Sequence, residues 1–531
     1  MKRTRTRGRG RAASLSLGAL LIVATAGGTT AASLAGPLRS PEAVSVPQVT
    51  VPAGDYIAQC PATARLVKGA DQGTDPAFAP DSDSAKTTVR ATVLSDAAER
   101  LPGAELEKPD GSTVRTLGER LPEEKAAEVK SASDSGFTGR RAATASGISA
   151  TGRVSLRVQP LGGQQSTAGA VRSYAAGDGD LAGLAAARCQ VPSNQQWLTG
   201  ASTTVGSMAL LTLANPSETP STVDLELFGV KGRIEAGNTR GIVIAPGTST
   251  DIVLGGLASG EESLSVKATS TGAPVTAIIQ QSILRGLTPG GVDFIEPSAA
   301  PGEQQVVPGL LVQDAKVQKD VAGQKGYGDA VPTLSLTVPG ASDQRVKVRL
   351  LGEKGEVPLP RDGQYTVAGR STLAVPLTGV PAGTYTAVVD AGEPVAASVR
   401  STRGTKAGER TDAAWTGSAQ RLGGEHLIPV PQGAASRLVL AAPEGQGSVD
   451  VRPVDSKGSV GKPVTVPVAS GRTVERTIQS LGKDVVAVAL SASGEPVYGG
   501  MLSTHGKTDV SSLSVPPATP GPRSVPVDLR Y

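Results

Sequence analysis

Val223 to Gly232 (VDLELFGVKG), Val346 to Gly355 (VKVRLLGEKG) and Val449 to Gly458 (VDVRPVDSKG) are three copies of one pattern. In each copy apolar residues alternate with polar or charged ones, and the run closes on Lys-Gly. A period of two marks a strand with one wet face, and Lys-Gly marks the turn that ends it. The flanks repeat as well. Upstream stand LANP (Leu213 to Pro216), LTVP (Leu336 to Pro339) and LAAP (Leu440 to Pro443), each with a Pro suited to ending a strand. Downstream come PGTST around Gly247, AGRST around Gly369 and SGRTV around Gly471, then Gly-Ala-Pro-Val from Gly272 and Gly-Glu-Pro-Val from Gly392 and Gly494. From the Lys-Gly glycine to this last glycine the spacing is 40, 37 and 36 residues (Gly232 to Gly272, Gly355 to Gly392, Gly458 to Gly494), the small variation that surface loops tolerate.

One unit read through predicts strands near 208–214, 222–229, 241–245, 249–255, 262–269 and 274–282, separated by turn residues. Six or seven short strands in about 95 residues predict an antiparallel, immunoglobulin-like β-sandwich. A β-propeller is the rival, but its blade of about 40 to 50 residues is shorter than this period of about 100 to 120. Further upstream, Ala170 to Ser173 (AVRS) matches Ser398 to Ser401 (SVRS), and Gly152 to Val158 (GRVSLRV) alternates, so a diverged extra copy is expected there. The fold class expected is therefore all-β, with tandem immunoglobulin-like antiparallel β-sandwiches behind an N-terminal signal or signal-anchor segment. The domains expected are 1–36 leader, 45–199 first sandwich, 200–298 second, 309–402 third, 425–515 fourth and 516–531 Pro-rich tail. Residues 296–308 and 402–424 read as linkers, and 117–130 and the Ala-rich 181–188 as the only helical stretches.

The 531 residues carry a net charge of +4, and its distribution matters more than its sum. Lys2, Arg3, Arg5, Arg7, Arg9 and Arg11 lie in the first 36 residues, which contain no acid; the remainder has 46 basic against 48 acidic residues. The basic block interleaved with aromatics that marks a nucleic-acid binder is missing, so no nucleic acid is expected as a partner. The basic run precedes an apolar stretch, Leu15 to Ala26 (LSLGALLIVATA), with small residues at Ala31, Ala32 and Ala35, the layout of a secretory signal. Residues 12–38 would also span a bilayer if retained, with the basic end in the cytoplasm. Either way the chain is expected outside the cytoplasm, secreted or anchored by this segment, with no other membrane contact.

Two His and two Cys exclude His-rich cages and four-Cys zinc sites and leave little for His-dependent catalysis. Cys60 and Cys189, an even pair in an exported chain, are expected to form a disulfide stapling the first domain. Closing a loop of that length would restrict the unfolded chain by about 4 to 5 kcal/mol on the loop-entropy model. His426 and His505 have no metal-ligand spacing and read as surface residues, and the acidic pairs Glu123/Glu124 and Glu261/Glu262 read as solvated. Gly323 to Gly328 (GQKGYG) lacks the phosphate-loop pattern and reads as a flexible loop. Gly147 to Thr151 (GISAT) fails as a nucleophile elbow. No catalytic residue, metal ligand or cofactor is expected. The candidate ligand contacts are Trp197 and Trp415, in the lead-in segments QQWLTG and AAWTGS, where an exposed indole would stack on a sugar or anchor a partner; the competing reading has each Trp plugging a domain junction.

Cys189, Pro192, Trp197, Gly200, Asn215, Pro216 and Pro246 to Ser249 (PGTS) together resemble an actinobacterial family of exported proteins whose defining domain has no assigned function. The resemblance implies an envelope-associated β-sandwich protein linked to cell-surface glycan assembly and supplies no catalytic residue; the later units lack the Asn of Asn-Pro. The function expected is non-enzymatic, binding or scaffolding cell-surface glycan or a protein partner outside the cytoplasm. An accessory subunit of a membrane glycosyltransferase or secretion complex, and a polysaccharide-acting enzyme with its site at a domain interface, stay open as alternatives. The sequence leaves the oligomeric state open.

Overall fold

Residues 48–67, 81–127, 136–137, 139–520 and 523–526 are described by the computed structural model. The leader expected at 1–36 lies outside these residues. The chain divides into two units, Pro52–Pro522 and a small one formed by the two chain ends. In the small unit Gln48–Val51 pairs antiparallel with Arg523–Pro526. Part of the expected Pro-rich tail is thus a strand. In a two-stranded ribbon both strands are edges, where Pro is tolerated.

Within Pro52–Pro522 the alternation seen in the sequence becomes sheet. In Ser221–Gly229, Val223, Leu225 and Leu227 face inward while Thr222, Asp224 and Glu226 face out. Its strand pairs with Leu264–Gly272, which in turn pairs with Gln195–Ala201. The facing sheet runs Ser249–Val253, Ser207–Ala214, Thr276–Arg285, Thr288–Ile295. Between the two lies a core of aliphatic residues including Leu198, Leu211, Leu225, Val266 and Ile279. The same strand order, without the extra strand Ile242–Ile244, recurs in the first sandwich (Tyr56–Cys60 through Gly183–Arg188) and in the fourth (His426–Pro429 through Asp509–Ser514), each of eight strands. In the third, the single strand Gly383–Arg403 does the work of two. It pairs with Gly302–Val312 in one layer and with Thr333–Val338 in the other, passing through Gly392-Glu-Pro-Val395. Each sandwich has its own apolar core.

Several expectations are corrected at the seams. The boundary expected at 199/200 falls inside the strand Gln195–Ala201. Of the two expected linkers, 296–308 contributes to the strand Gly302–Val312 and 402–424 contains the strand Asp412–Gly417. The Ala-rich 181–188 is the strand Gly183–Arg188, because a buried position between two protein surfaces suits small side chains in a sheet as well as in a helix. Within 117–130 only Glu123–Ala127 is helical among the described residues.

The last strand of each sandwich builds the ring. We label these β1 (Gly183–Arg188), β2 (Thr288–Ile295), β3 (Asp412–Gly417) and β4 (Asp509–Ser514). β1 packs on β2, β2 on β3, β3 on β4 and β4 on β1, so the four sandwiches close around one axis. At the outside, the hairpin of each sandwich leans on the next. The turn after Ala104–Glu107 reaches Gly247 through the Pro109 carbonyl, and Gly232–Ile234 reaches Ser371–Pro376. Gly355–Val357 reaches Arg472–Thr477, and the Gly458 carbonyl accepts from Ala142 N at 2.7 Å. The Lys-Gly turns that reveal the repeat are therefore contacts between neighbouring sandwiches.

Candidate functional site

Two places gather polar chemistry: the axis and the seam between the third and fourth sandwiches. At the axis, equivalent positions of the four strands are Gly183, Gly291, Asp412 and Asp509. Asp412 is fully buried and its carboxylate collects main-chain donors from all four sandwiches. Oδ2 accepts from Leu184 N (2.9 Å) and Val510 N (2.9 Å), and Oδ1 from Ala413 N (2.9 Å) and Val292 N (3.3 Å). Glycine at 183 and 291 makes room, since a Cβ at either would stand 2.6 Å from Asp412 Oδ1. Two residues along lie Ala185, Asp293, Ala414 and Ser511. Asp293 Oδ2 accepts from Trp415 N (3.0 Å) and Oδ1 from the Ser511 hydroxyl (2.9 Å), whose oxygen accepts from Ala186 N (2.9 Å).

Neither buried carboxyl forms an ion pair with a Lys or Arg among the described residues. Burial pushes both carboxyls well above the usual carboxylate range, and the main-chain donors oppose it at each. At Asp293 the charge of Asp412 adds to the rise. Asp509, unlike these two, forms an ion pair: Arg410 Nη2 meets its Oδ1 at 2.8 Å.

The second place is a cleft of about 1030 Å³ where the outer faces of the third and fourth sandwiches diverge. Its charged lining is Glu353, Lys354 and Glu356 from one side and Arg437, Arg472 and Glu475 from the other. Arg437 pairs with Glu475 at 3.2 Å. At the closed end Thr473 Oγ1 donates to the Leu351 carbonyl (2.6 Å) and pairs with Thr386 Oγ1 (3.0 Å). The corresponding recess between the fourth and first sandwiches is about 490 Å³. There Thr144 Oγ1 also donates to the Ser456 carbonyl at 3.1 Å, beside the Gly458 contact.

The residues singled out from sequence do not gather at either place as ligand contacts. Trp415 is 3% exposed; it enters the core of the second sandwich and donates from Nε1 to the Gly200 carbonyl (2.9 Å). Trp197 is 5% exposed, stacked on Phe228 at 5.5 Å with Lys267 Nζ 5.9 Å from its ring. Neither offers a free indole, so the expectation of ligand contacts at Trp197 and Trp415 is corrected. Cys60 and Cys189 are joined by a disulfide inside the first core. His426 is buried, not on the surface: Nε2 accepts from Gly423 N (2.7 Å), which leaves Nδ1–H to donate to the Pro516 carbonyl (2.8 Å). Tyr327, in the stretch expected to be a flexible loop, is buried with the Arg285 guanidinium 4.8 Å from its ring. Asn215 is buried and closes its turn, donating to the Thr219 and Ile244 carbonyls and accepting from Ser217. In the sequence Asp293 and Asp412 carry no motif, each a lone Asp in a short polar or apolar run.

The architecture defines a class: a disulfide-stapled ring of β-sandwiches with a buried polar axis. The chain belongs to the DUF5719 family, a family of unknown function, whose model matches residues 142–479. No curated protein and no solved structure matches the chain. The match begins at the strand Ala142–Ile148 and ends at residue 479, so it cuts through the first and fourth sandwiches that the ring completes. Among the described residues no helix is long and apolar enough to cross a membrane, and no three His, Cys, Asp or Glu side chains are grouped to hold a metal.

Proposed function

We propose that this is an exported, envelope-associated scaffold that holds a polypeptide partner in the cleft between the third and fourth sandwiches. The observation that carries the reading is the cleft itself: the same seam that main-chain hydrogen bonds hold together between the fourth and first sandwiches opens here to about 1030 Å³. A lining of three acids and three bases interspersed with Leu311, Val357 and Val474 suits a polypeptide of mixed polarity. Burial of both indoles removes the stacking platforms on which glycan recognition would rest. Export is supported by the basic and apolar leader and by a disulfide, which belongs to oxidising compartments. The actinobacterial exported family that the sequence resembles points the same way. A leader retained as an anchor would make the protein an accessory subunit beside a membrane partner.

The test is capture by the full-length chain from cell envelope split into a protease-treated glycan fraction and a detergent-solubilised protein fraction. The reading expects capture from the protein fraction and its loss in the double variant Lys354→Glu, Arg472→Glu. Capture from glycan alone, or capture that the double variant leaves unchanged, overturns it.

A further inference from the structure

The geometry points to a proton-dependent clasp at the axis: Asp412 stays ionised, Asp293 holds a proton, and the ring loosens as that proton is lost at rising pH. Two fully buried carboxyls sit in one hub, and the cations near it make their hydrogen bonds to other groups. Arg188, on the neighbouring β1, pairs with Glu296 (2.8 Å), and Arg285, from the strand beside β2, pairs with Asp329 (2.7 Å). Arg410 pairs with Asp509, while Arg400 and Arg403 donate to the Asp329 and Asp509 carbonyls. Tyr174, from the first sandwich, donates to the Leu181 carbonyl (3.2 Å). Asp412 is thus the anion whose charge acts on Asp293; Arg403 lends its charge to Asp412, and no Lys or Arg among the described residues pairs with Asp293.

The hydrogen bonds decide which carboxyl keeps the proton. Asp412 has two N–H donors on each oxygen, so its acceptor directions are filled and an O–H there would face a donor. Asp293 receives the Trp415 N–H on Oδ2 and the N–H of the adjacent Phe294, fewer donors than Asp412, and its Oδ1 partner is a hydroxyl, which reverses: protonated at Oδ1, Asp293 donates to Ser511 Oγ instead of accepting from it. A proton at Asp293 takes from the Ser511 hydroxyl its acceptor but keeps every main-chain bond, whereas a proton at Asp412 breaks a bond to another sandwich. An unpaired buried carboxylate neutralises where it has a way to do so.

Because the folded state then binds a proton that the unfolded chain releases at ordinary carboxylate pH, the Asp293 contribution to stability is greatest at low pH and falls as pH rises toward the titration of Asp293. The experiment is urea unfolding of the full-length chain from about pH 7 to about pH 9, above the range in which His426 takes up its proton, with an unfolding constant rising by up to about tenfold per pH unit, the slope of one proton. Asp293→Asn, whose amide donates to Ser511 and accepts from Trp415 N, is expected to flatten that rise and keep a cooperative transition. Asp412→Asn, whose amide nitrogen faces N–H donors, is expected to unfold more readily at every pH. A rise unchanged in Asp293→Asn, or a flat wild-type profile, overturns the proposal. A second measurement does not depend on variant folding: the infrared carbonyl band of a protonated, buried carboxylic acid is expected in the wild type at neutral pH, and its absence there overturns the assignment.

Discussion

Ser221–Gly229 at the rim and Asp509–Ser514 at the hub are both strands of six to nine residues, yet their burial differs in kind. At the rim buried and outward residues alternate up to Leu227, the result of one dry and one wet face. At the hub every residue is buried, because both faces meet protein, and the sequence is DVSSLS, polar and free of the long apolar run expected of a doubly buried strand. The hub can be polar because its side chains bond across sandwiches: Ser511 to Asp293 and Ala186, Asp412 to four amides. The rim makes each sandwich; the hub makes four sandwiches into one object.

Trp415 gives the largest break in that contrast. It is a β3 residue, so it belongs by sequence to the third sandwich, but its ring fills the second core. Trp415→Ala should cost about 3 to 5 kcal/mol, read as a lower urea midpoint. Amide exchange should rise in the second and third sandwiches together. A rise confined to the third would mean the hub does not couple its neighbours.

Next comes the disulfide, which acts within one sandwich. Replacing Cys60 and Cys189 together by Ala should cost about 2 to 5 kcal/mol. Faster exchange should concentrate in the strands Tyr56–Cys60, Val154–Val158 and Ala168–Ala176. Equal loosening of all four sandwiches would show that the ring, not the staple, limits the first one.

The Lys-Gly turns sharpen the comparison further, because the same turn serves different seams. Gly232 and Gly458 both have positive φ (128° and 86°), so Ala at either carries backbone strain of about 1 to 2 kcal/mol. A Cβ at 232 meets nothing within 4 Å, while one at 458 would stand 2.0 Å from the Ala142 carbonyl oxygen. Gly458→Ala should therefore exceed Gly232→Ala by about 1 to 3 kcal/mol in chemical denaturation. Equal costs would show that the fourth-to-first seam yields without loss.

Legibility in the sequence followed the same division. The six strands predicted for the second unit, near 208–214, 222–229, 241–245, 249–255, 262–269 and 274–282, coincide with or overlap strands of the second sandwich, since each has a turn signal or an alternating face. The first and last strands of that sandwich, Gln195–Ala201 and Thr288–Ile295, carry no such signal. Both are buried along most of their length by neighbouring sandwiches, which removes the period-two signal. For the same reason 302–308 and 412–417, polar or small-residue runs beside Pro and Gly, read as linkers. The site was less legible still. Sequence exposes a residue's type but not the four N–H groups that converge on Asp412, and an indole in a polar segment such as AAWTGS gives no sign that another sandwich covers it.

The smallest expected effect separates a buried polar group at the rim from those at the hub. His426 lies on the first strand of the fourth sandwich, and its neutral ring takes the Gly423 N–H on Nε2 and donates from Nδ1 to Pro516. Burial lowers its pKa below the ordinary 6.5, the Pro516 bond opposing in part. The unfolded chain therefore takes up a proton before the folded one does, so the contribution of His426 is intact above about pH 6.5 and is lost as pH falls below it. The slope cannot exceed about 1.4 kcal/mol per pH unit, one proton's worth. His426→Gln should remove the His426 part of the acid-side slope while leaving the Asp293 slope, which alone governs the alkaline side, as in the wild type. Denaturant midpoints across both limbs check this directly; a variant that altered the alkaline limb as well would mean that rim and hub titrate as one network.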